Sequence, residues 1–224
     1  MAALLTTLTS IAAAGTLMFS SAVNTAAPQN DPNGILLVNR QWRISEDYVP
    51  EVRMTDVQGQ VRRLRPDAAT ALEEMYAAAK EEIGVTLVSV SGYRSYSKQQ
   101  AIYKRKLSNV GGSYAKADEY VARPGASEHQ LGLAMDVGQK NSKSGLTASF
   151  GNTKGGQWLR ENCYRFGFIL RYQQGWEDIT GYNYEPWHVR YVGKELALSI
   201  QEANVPLETY LLSLREETLM NIVK

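Results

Sequence analysis

A chain of 224 residues with 44% hydrophobic and 21% charged residues has the balance of a soluble globular protein, long enough to bury one substantial core. A formal net charge of +1 supplies no global field toward nucleic acid or an acidic membrane surface, so no nucleic-acid partner is expected. The one cysteine, Cys163, excludes an internal disulfide framework and reads as a small packed residue in a helical stretch.

The N-terminus differs from the rest. Met1 to Asn30 carries no charged residue, and Leu4 to Val23 is an apolar run diluted by Thr and Ser. Small residues at Ser20-Ser21-Ala22 or Thr25-Ala26-Ala27 suit a signal-peptide cleavage site, although no Lys or Arg precedes Arg40. Because about 20 apolar residues can span a bilayer, an uncleaved anchor is the alternative. Either way residues 1–27 read as an export segment and the rest as lying outside the cell. Any membrane contact would run through that anchor.

Pro28 to Gly34 is polar and turn-forming, hence a linker, and Ile35 to Asn39 is a short strand candidate. Residues 40–62 lack clear periodicity and read as irregular. Pro66 suits the first position of a helix whose apolar face carries Leu72, Met75, Tyr76, Ala79 and Ile83, with Gly84 as its stop. Val85 to Val90 is a buried strand. It ends in Ser91-Gly92-Tyr93-Arg94-Ser95, and a helix follows from about Ser97 to Leu107. After Gly111-Gly112 a short helix spans Ala115 to Ala122. The turn Arg123 to Ala126 leads into Ser127-Glu128-His129, and Leu131 to Val137 reads as a strand. Lys140 to Gly156 is a surface loop, Gln157 to Tyr164 a helix, and Gly167 to Tyr172 a strand. The loop Gln173 to Tyr184 carries Trp176, Tyr182 and Tyr184 toward Glu185, and His188 to Val192 is a strand. Two helices close the chain, Lys194 to Ala203 and one from Pro206 onward with Leu207, Tyr210, Leu211 and Leu214 on one face. Strands and helices mix without regular alternation, which predicts an α+β fold around a central antiparallel sheet.

His129 and His188 are the only histidines, and each lies close to carboxylates. A catalytic zinc site takes three protein ligands from nitrogen and carboxylate oxygen and leaves a fourth position open. His129, Asp136 and His188 supply that set, for a mononuclear zinc peptidase centre with one zinc per chain. Glu185, three residues before His188, would stand beside the metal as general base. His129 and Asp136 are seven residues apart, so on one regular strand they would face opposite sides. They converge only if His129 sits in the preceding turn. Glu128 is expected to face solvent.

The pattern Ser-x-His-x-x-Gly-x-Ala-x-Asp from Ser127 to Asp136, with Glu-x-x-His at Glu185 and His188, resembles the VanY-type zinc D,D-carboxypeptidases. These belong to the wider group of LAS enzymes and hedgehog-like domains. Ser91 to Tyr96 with Gln99, and Ile179 to His188, extend the resemblance, which covers roughly 64–211. It implies the hedgehog/DD-peptidase fold, zinc on His129, Asp136 and His188, and Glu185 as base and acid. It also implies Arg94 pairing with the substrate's terminal carboxylate, whose shape a guanidinium fork matches. Gln99 and Ser127 would hydrogen-bond the peptide near the cleaved bond, with Trp187 and the nearby tyrosines lining the pocket. The implied partner is a peptidoglycan stem peptide ending in D-Ala-D-Ala, cut by a monomer. L,D-carboxypeptidase, endopeptidase and noncatalytic wall-binding activities are the alternatives. The chain then divides into 1–27, the export segment; 28–63, linker and N-terminal segment; and 64–224, the catalytic domain.

Overall fold

Pro66 and Gly84 bracket helix α1 (Pro66–Ile83) in the computed structural model, which describes residues 37–222 with side chains to residue 214. Pro66 occupies the first turn, and Gly84 adopts φ +70° so that its N–H reaches the Lys80 carbonyl. Before α1 lie two minimal antiparallel strands, β1 (Arg53–Met54) and β2 (Arg63–Leu64). Then follow β3 (Leu87–Ser91), α2 (Tyr96–Asn109) and α3 (Tyr114–Asp118). Next come β4 (Ala134–Gln139), α4 (Lys154–Asn162), β5 (Phe168–Tyr172), α5 (Glu177–Thr180), β6 (Glu185–Tyr191), α6 (Lys194–Ala203) and α7 (Leu207–Ile222). The export segment and the first part of the linker lie outside the described residues. No helix among the described residues is long and apolar enough to cross a membrane.

The main sheet is antiparallel with order β3-β4-β6-β5, as the alternation-free mixture of elements predicts. Side chains alternate across it. Met135, Val137, Val189, Phe168 and Leu170 point to one face, where α1 residues Leu72 and Met75 and α4 residues Trp158 and Leu159 complete the main core. Each of these large side chains contributes roughly 1.5–3 kcal/mol by burial. The other face carries Asp136, His188, Arg190 and Arg171. At its β5 edge Ile169 packs with Ala197, Ile200 and Leu207 of α6 and α7. Cys163 is buried in the main core, as expected of a small packed residue.

Several expectations need correction: β1 falls within the irregular stretch 40–62, α3 ends at Asp118 rather than Ala122, and β4 starts at Ala134 rather than Leu131. Leu37 to Asn39 forms no strand: Val38 drops into the core, and the Asn39 carboxamide accepts from the N–H groups of Gln41 and Trp42 to make a turn. The loop expected over 140–156 contains a 3-10 turn at Ala148–Asn152, and α4 starts at Lys154 because Thr153 caps it, accepting from Gly156 N–H at 3.0 Å. The loop before Glu185 holds the short α5. Strand β6 starts at Glu185 rather than His188. Its register slips between the pairs Leu170↔Val189 and Tyr172↔Glu185, so Pro186 sits in a bulge where its missing N–H breaks no ladder bond.

Candidate metal centre

Three elements bring the ligand candidates together. His129 lies in a 3-10 turn (Glu128–Leu131), which ends at Gly132 with φ +71°, a conformation open to glycine at little cost. Asp136 lies on β4, directly across the ladder from His188 on β6. His129 therefore does sit in the turn before the strand, as its separation from Asp136 requires. One donor atom from each of the three lies within 4.8 Å of the others, and all three residues are buried.

Hydrogen bonds fix which ring nitrogens face the shared centre. His129 Nδ1 donates to the Gly92 carbonyl at 2.8 Å, leaving Nε2 buried without a hydrogen-bond partner and 3.3 Å from Asp136 Oδ2. Position 92 has room only for glycine, since a Cβ there would meet the Arg63 carbonyl at 2.5 Å. His188 turns Nδ1 inward, 3.1 Å from Asp136 Oδ1, and points Nε2 at Glu128 Oε2, 3.3 Å away. The two rings meet edge to face with centroids 5.0 Å apart, and Tyr172 packs on His188 at 4.9 Å. A buried orphan nitrogen, a second inward nitrogen and a carboxylate between them form the N,N,O donor set that zinc takes in catalytic sites. The residues fit the ion.

Glu128 is the largest departure from the sequence reading. It is 1% exposed, not solvated: Arg171 Nε and Arg190 Nη1 donate to its Oε1 at 2.8 and 2.9 Å, leaving Oε2 for His188. The signal was available in Arg171, a cation in the otherwise apolar and aromatic run Phe168 to Tyr172, and in Arg190, a cation between Val189 and Tyr191. Such a charge is buried only with a partner.

Glu185 places Oε2 3.8 Å from His188 Nδ1. Residues three apart on a regular strand face opposite sides, so the β6 bulge is what turns both side chains to the same centre. Arg94 donates from Nη1 to Gln99 Oε1 at 3.0 Å and from Nη2 to Asp136 Oδ2 at 3.2 Å. Gln99 is also tied through Nε2 to the Ala122 carbonyl at 2.7 Å, so it holds Arg94 against one wall. A cavity of about 280 Å³ opens over this cluster, lined by Arg94, Gln99, Ser127, Glu185, Trp187 and Tyr182 as well as the three ligand candidates.

Burial and neighbouring charge set the protonation states. Burial, aided by the Arg94 charge, pushes His129 down to about 4, so it is neutral. Burial opposes the charge on Asp136, but His129, His188 and Arg94 hold its carboxyl well below the usual range. The same contest is won at Glu128 by Arg171 and Arg190, which keep it ionised. Burial would lower His188, yet its hydrogen bonds to Asp136 and Glu128 raise it to about 9. Burial raises Glu185 to about 7 despite the pull of His188.

A family model described as VanY, D-alanyl-D-alanine carboxypeptidase, matches residues 61–194. The protein YodJ of Bacillus subtilis (strain 168) is 46% identical over 189 residues, covering 81% of this chain and 68% of YodJ. A D-alanyl-D-alanine carboxypeptidase of Enterococcus faecalis is 39% identical over 196 residues, covering 84% of this chain and 69% of its own length. Among solved structures, the LdcB LD-carboxypeptidase superposes with a TM-score of 0.73 at 46% identity, covering 78% of this chain and 84% of that one. VanYB in complex with D-Ala-D-Ala gives a TM-score of 0.67 at 39% identity, over 79% and 96% of the two chains. A mutant of the D,D-pentapeptidase VanY solved with Zn(II) gives 0.67 at 39%, over 79% and 97%. The α+β fold is that of these peptidases.

Proposed function

The chain belongs to the VanY family of D-alanyl-D-alanine carboxypeptidases, and from that membership we propose that it is a zinc carboxypeptidase that removes the terminal D-alanine from peptidoglycan stem peptides ending in D-Ala-D-Ala. The observation that carries this reading is the convergence of His129, Asp136, His188, Glu185 and Arg94 on one cavity. His129 Nε2, Asp136 and His188 Nδ1 would hold one zinc per chain. When bound, that ion supplies Lewis acidity toward water and the scissile carbonyl.

The remaining work belongs to side chains. Glu185 accepts the proton of the attacking water and returns it to the departing D-alanine amine. A carboxyl that burial has raised to about 7 is matched to both transfers near neutral pH. Arg94 binds the terminal carboxylate and so selects the last residue of the peptide. Gln99 holds the guanidinium in place, and Ser127, on the cavity wall, reaches the peptide backbone beside the cleaved bond. The buried Glu128 fixes the orientation of His188. The charge-free apolar N-terminus supports export, which puts the enzyme where its substrate is.

A second reading, L,D-carboxypeptidase action on tetrapeptides, is favoured by the 46% identity to LdcB against 39% to VanYB. Mass spectrometry of muropeptides incubated with the purified protein separates the two. Loss of one alanine from pentapeptides, abolished by chelation and restored by zinc, supports the D,D reading. Loss only from tetrapeptides replaces it with the L,D reading. Cleavage of neither, with zinc bound, refutes both.

A further inference from the structure

The chain of buried charges that begins at His188 continues past Glu128. Arg171 spends Nε on Glu128 Oε1 at 2.8 Å and gives Nη1 and Nη2 to the two oxygens of Glu208, at 2.9 and 2.5 Å. Asn39 Nδ2 donates to Glu208 Oε1 at 3.2 Å. The side chains of Glu128, Arg171 and Arg190 are fully enclosed, and that of Glu208 is only 11% exposed. Glu208 stands in the first turn of α7 and Asn39 in the N-terminal segment. Both lie outside the 61–194 stretch that the family model matches.

We infer that Glu208 is a positioning residue for the metal ligand His188, acting through Arg171 and Glu128, and that Asn39 orients Glu208. The inference rests on the metal site proposed above. Glu128 meets two guanidiniums on one oxygen and His188 on the other. With two cations drawing on a single carboxylate, little negative charge would remain for the imidazole. Glu208 neutralises Arg171 from its far side, so Glu128 stays a strong acceptor for His188 Nε2–H. A strong acceptor there fixes the tautomer and raises the donor strength of Nδ1 toward a metal. The terminal helix thus contributes to the metal centre without touching it.

The test uses the full chain in three forms: wild type, Glu208→Gln and Asn39→Ala. Zinc affinity is measured by chelator competition, and the visible spectrum of the cobalt-substituted protein reports ligand geometry. Circular dichroism and thermal melting of the metal-free proteins monitor the fold. Glu208→Gln keeps the shape and removes the charge. It is expected to weaken zinc about 10-fold, the low end of the effect of losing a partner of a metal-bound histidine, and to shift the cobalt bands. Asn39→Ala, which removes an orienting bond one step further from the ligand, should weaken zinc measurably but by less than Glu208→Gln does. A folded Glu208→Gln protein with wild-type affinity and an unshifted cobalt spectrum overturns the inference, even if its melting temperature falls. Should Glu208→Gln not fold, unchanged affinity in Asn39→Ala overturns it instead. Wild type that binds no zinc removes the metal reading itself, which the wild-type titration shows independently of either variant.

Discussion

Asp136 and His188 are register partners across β4 and β6, and the inward nitrogen of His188 lies 3.1 Å from Asp136 Oδ1. In the metal-free protein this nitrogen and Nε2 both face carboxylates, so the folded state holds the His188 proton more tightly than water does, up to about pH 9. A metal binding through Nδ1 must expel that proton, whereas His129, lowered to about 4, is already neutral. Zinc loading at about pH 8 should therefore release close to one proton per chain, and apparent affinity should fall about tenfold for each pH unit below 9. Calorimetric titrations in two buffers of different ionisation enthalpy count the protons. A count near zero would mean that His188 is not a ligand.

The same proton predicts how metal-free stability depends on pH. A histidine whose folded value lies above its unfolded value of about 6.5 adds stability that is complete below that value and disappears as pH rises toward 9. Melting temperature of the chelated protein should drop across that window, and zinc should abolish the drop by taking the proton's place. A flat profile without metal would contradict the tight Asp136–His188–Glu128 arrangement.

Glu185→Gln retains the shape of the side chain and removes its ability to take a proton. It should lower kcat by about 10²–10⁴-fold with zinc content unchanged, because the carboxylate stands beside the candidate donor group of His129, Asp136 and His188 and outside it. The acid limb of the wild-type rate profile should also vanish. Near-normal turnover would take the base role away from Glu185.

The convergence of His129, Asp136 and His188 into one candidate donor group was legible in sequence because they sit in two separated motifs whose spacing requires a turn at His129. The network behind them was not. Glu128 read as solvated because a charge beside a ligand usually is, and only the strands supplying Arg171 and Arg190 enclose it. The β6 bulge is likewise a property of pairing with β5, so the local pattern around Pro186 started the strand at His188 rather than Glu185. Asn39 read as the end of a strand. Its actual partner, Glu208, is 169 residues away, a relationship no local periodicity carries.

Arg94→Ala should lower kcat/KM for peptides with a free terminal carboxylate by about 10- to 100-fold, the equivalent of one charge-assisted hydrogen bond or two. Amidated peptides should be cut at the low variant rate by both proteins. Gln99→Leu removes the bonds that tie Arg94 to the Ala122 carbonyl, so it should show a smaller loss with the same dependence on the carboxylate. Zinc content must be measured in parallel, since Arg94 also lies 3.2 Å from Asp136. An unchanged preference for the free carboxylate would assign its recognition to another residue.

Glu128→Gln tests the buried network at its centre. Arg171 and Arg190, both enclosed with that carboxylate, would lose the anion they share, and breaking a buried ion pair costs about 3–5 kcal/mol. The amide oxygen can still accept from both arginines, without the charge, but the NH₂ then faces His188 Nε2 and cannot accept the proton that a metal-bound imidazole presents there. Stability and zinc affinity should therefore fall together, the latter by about 10- to 100-fold. Glu128→Asp keeps the charge and shortens the reach, so it should restore most of the stability while leaving His188 poorly held and zinc weak. A Glu128→Asp protein that recovers both properties equally would show that the charge alone matters. One that recovers stability alone would place the orientation of His188 in the reach of the Glu128 side chain.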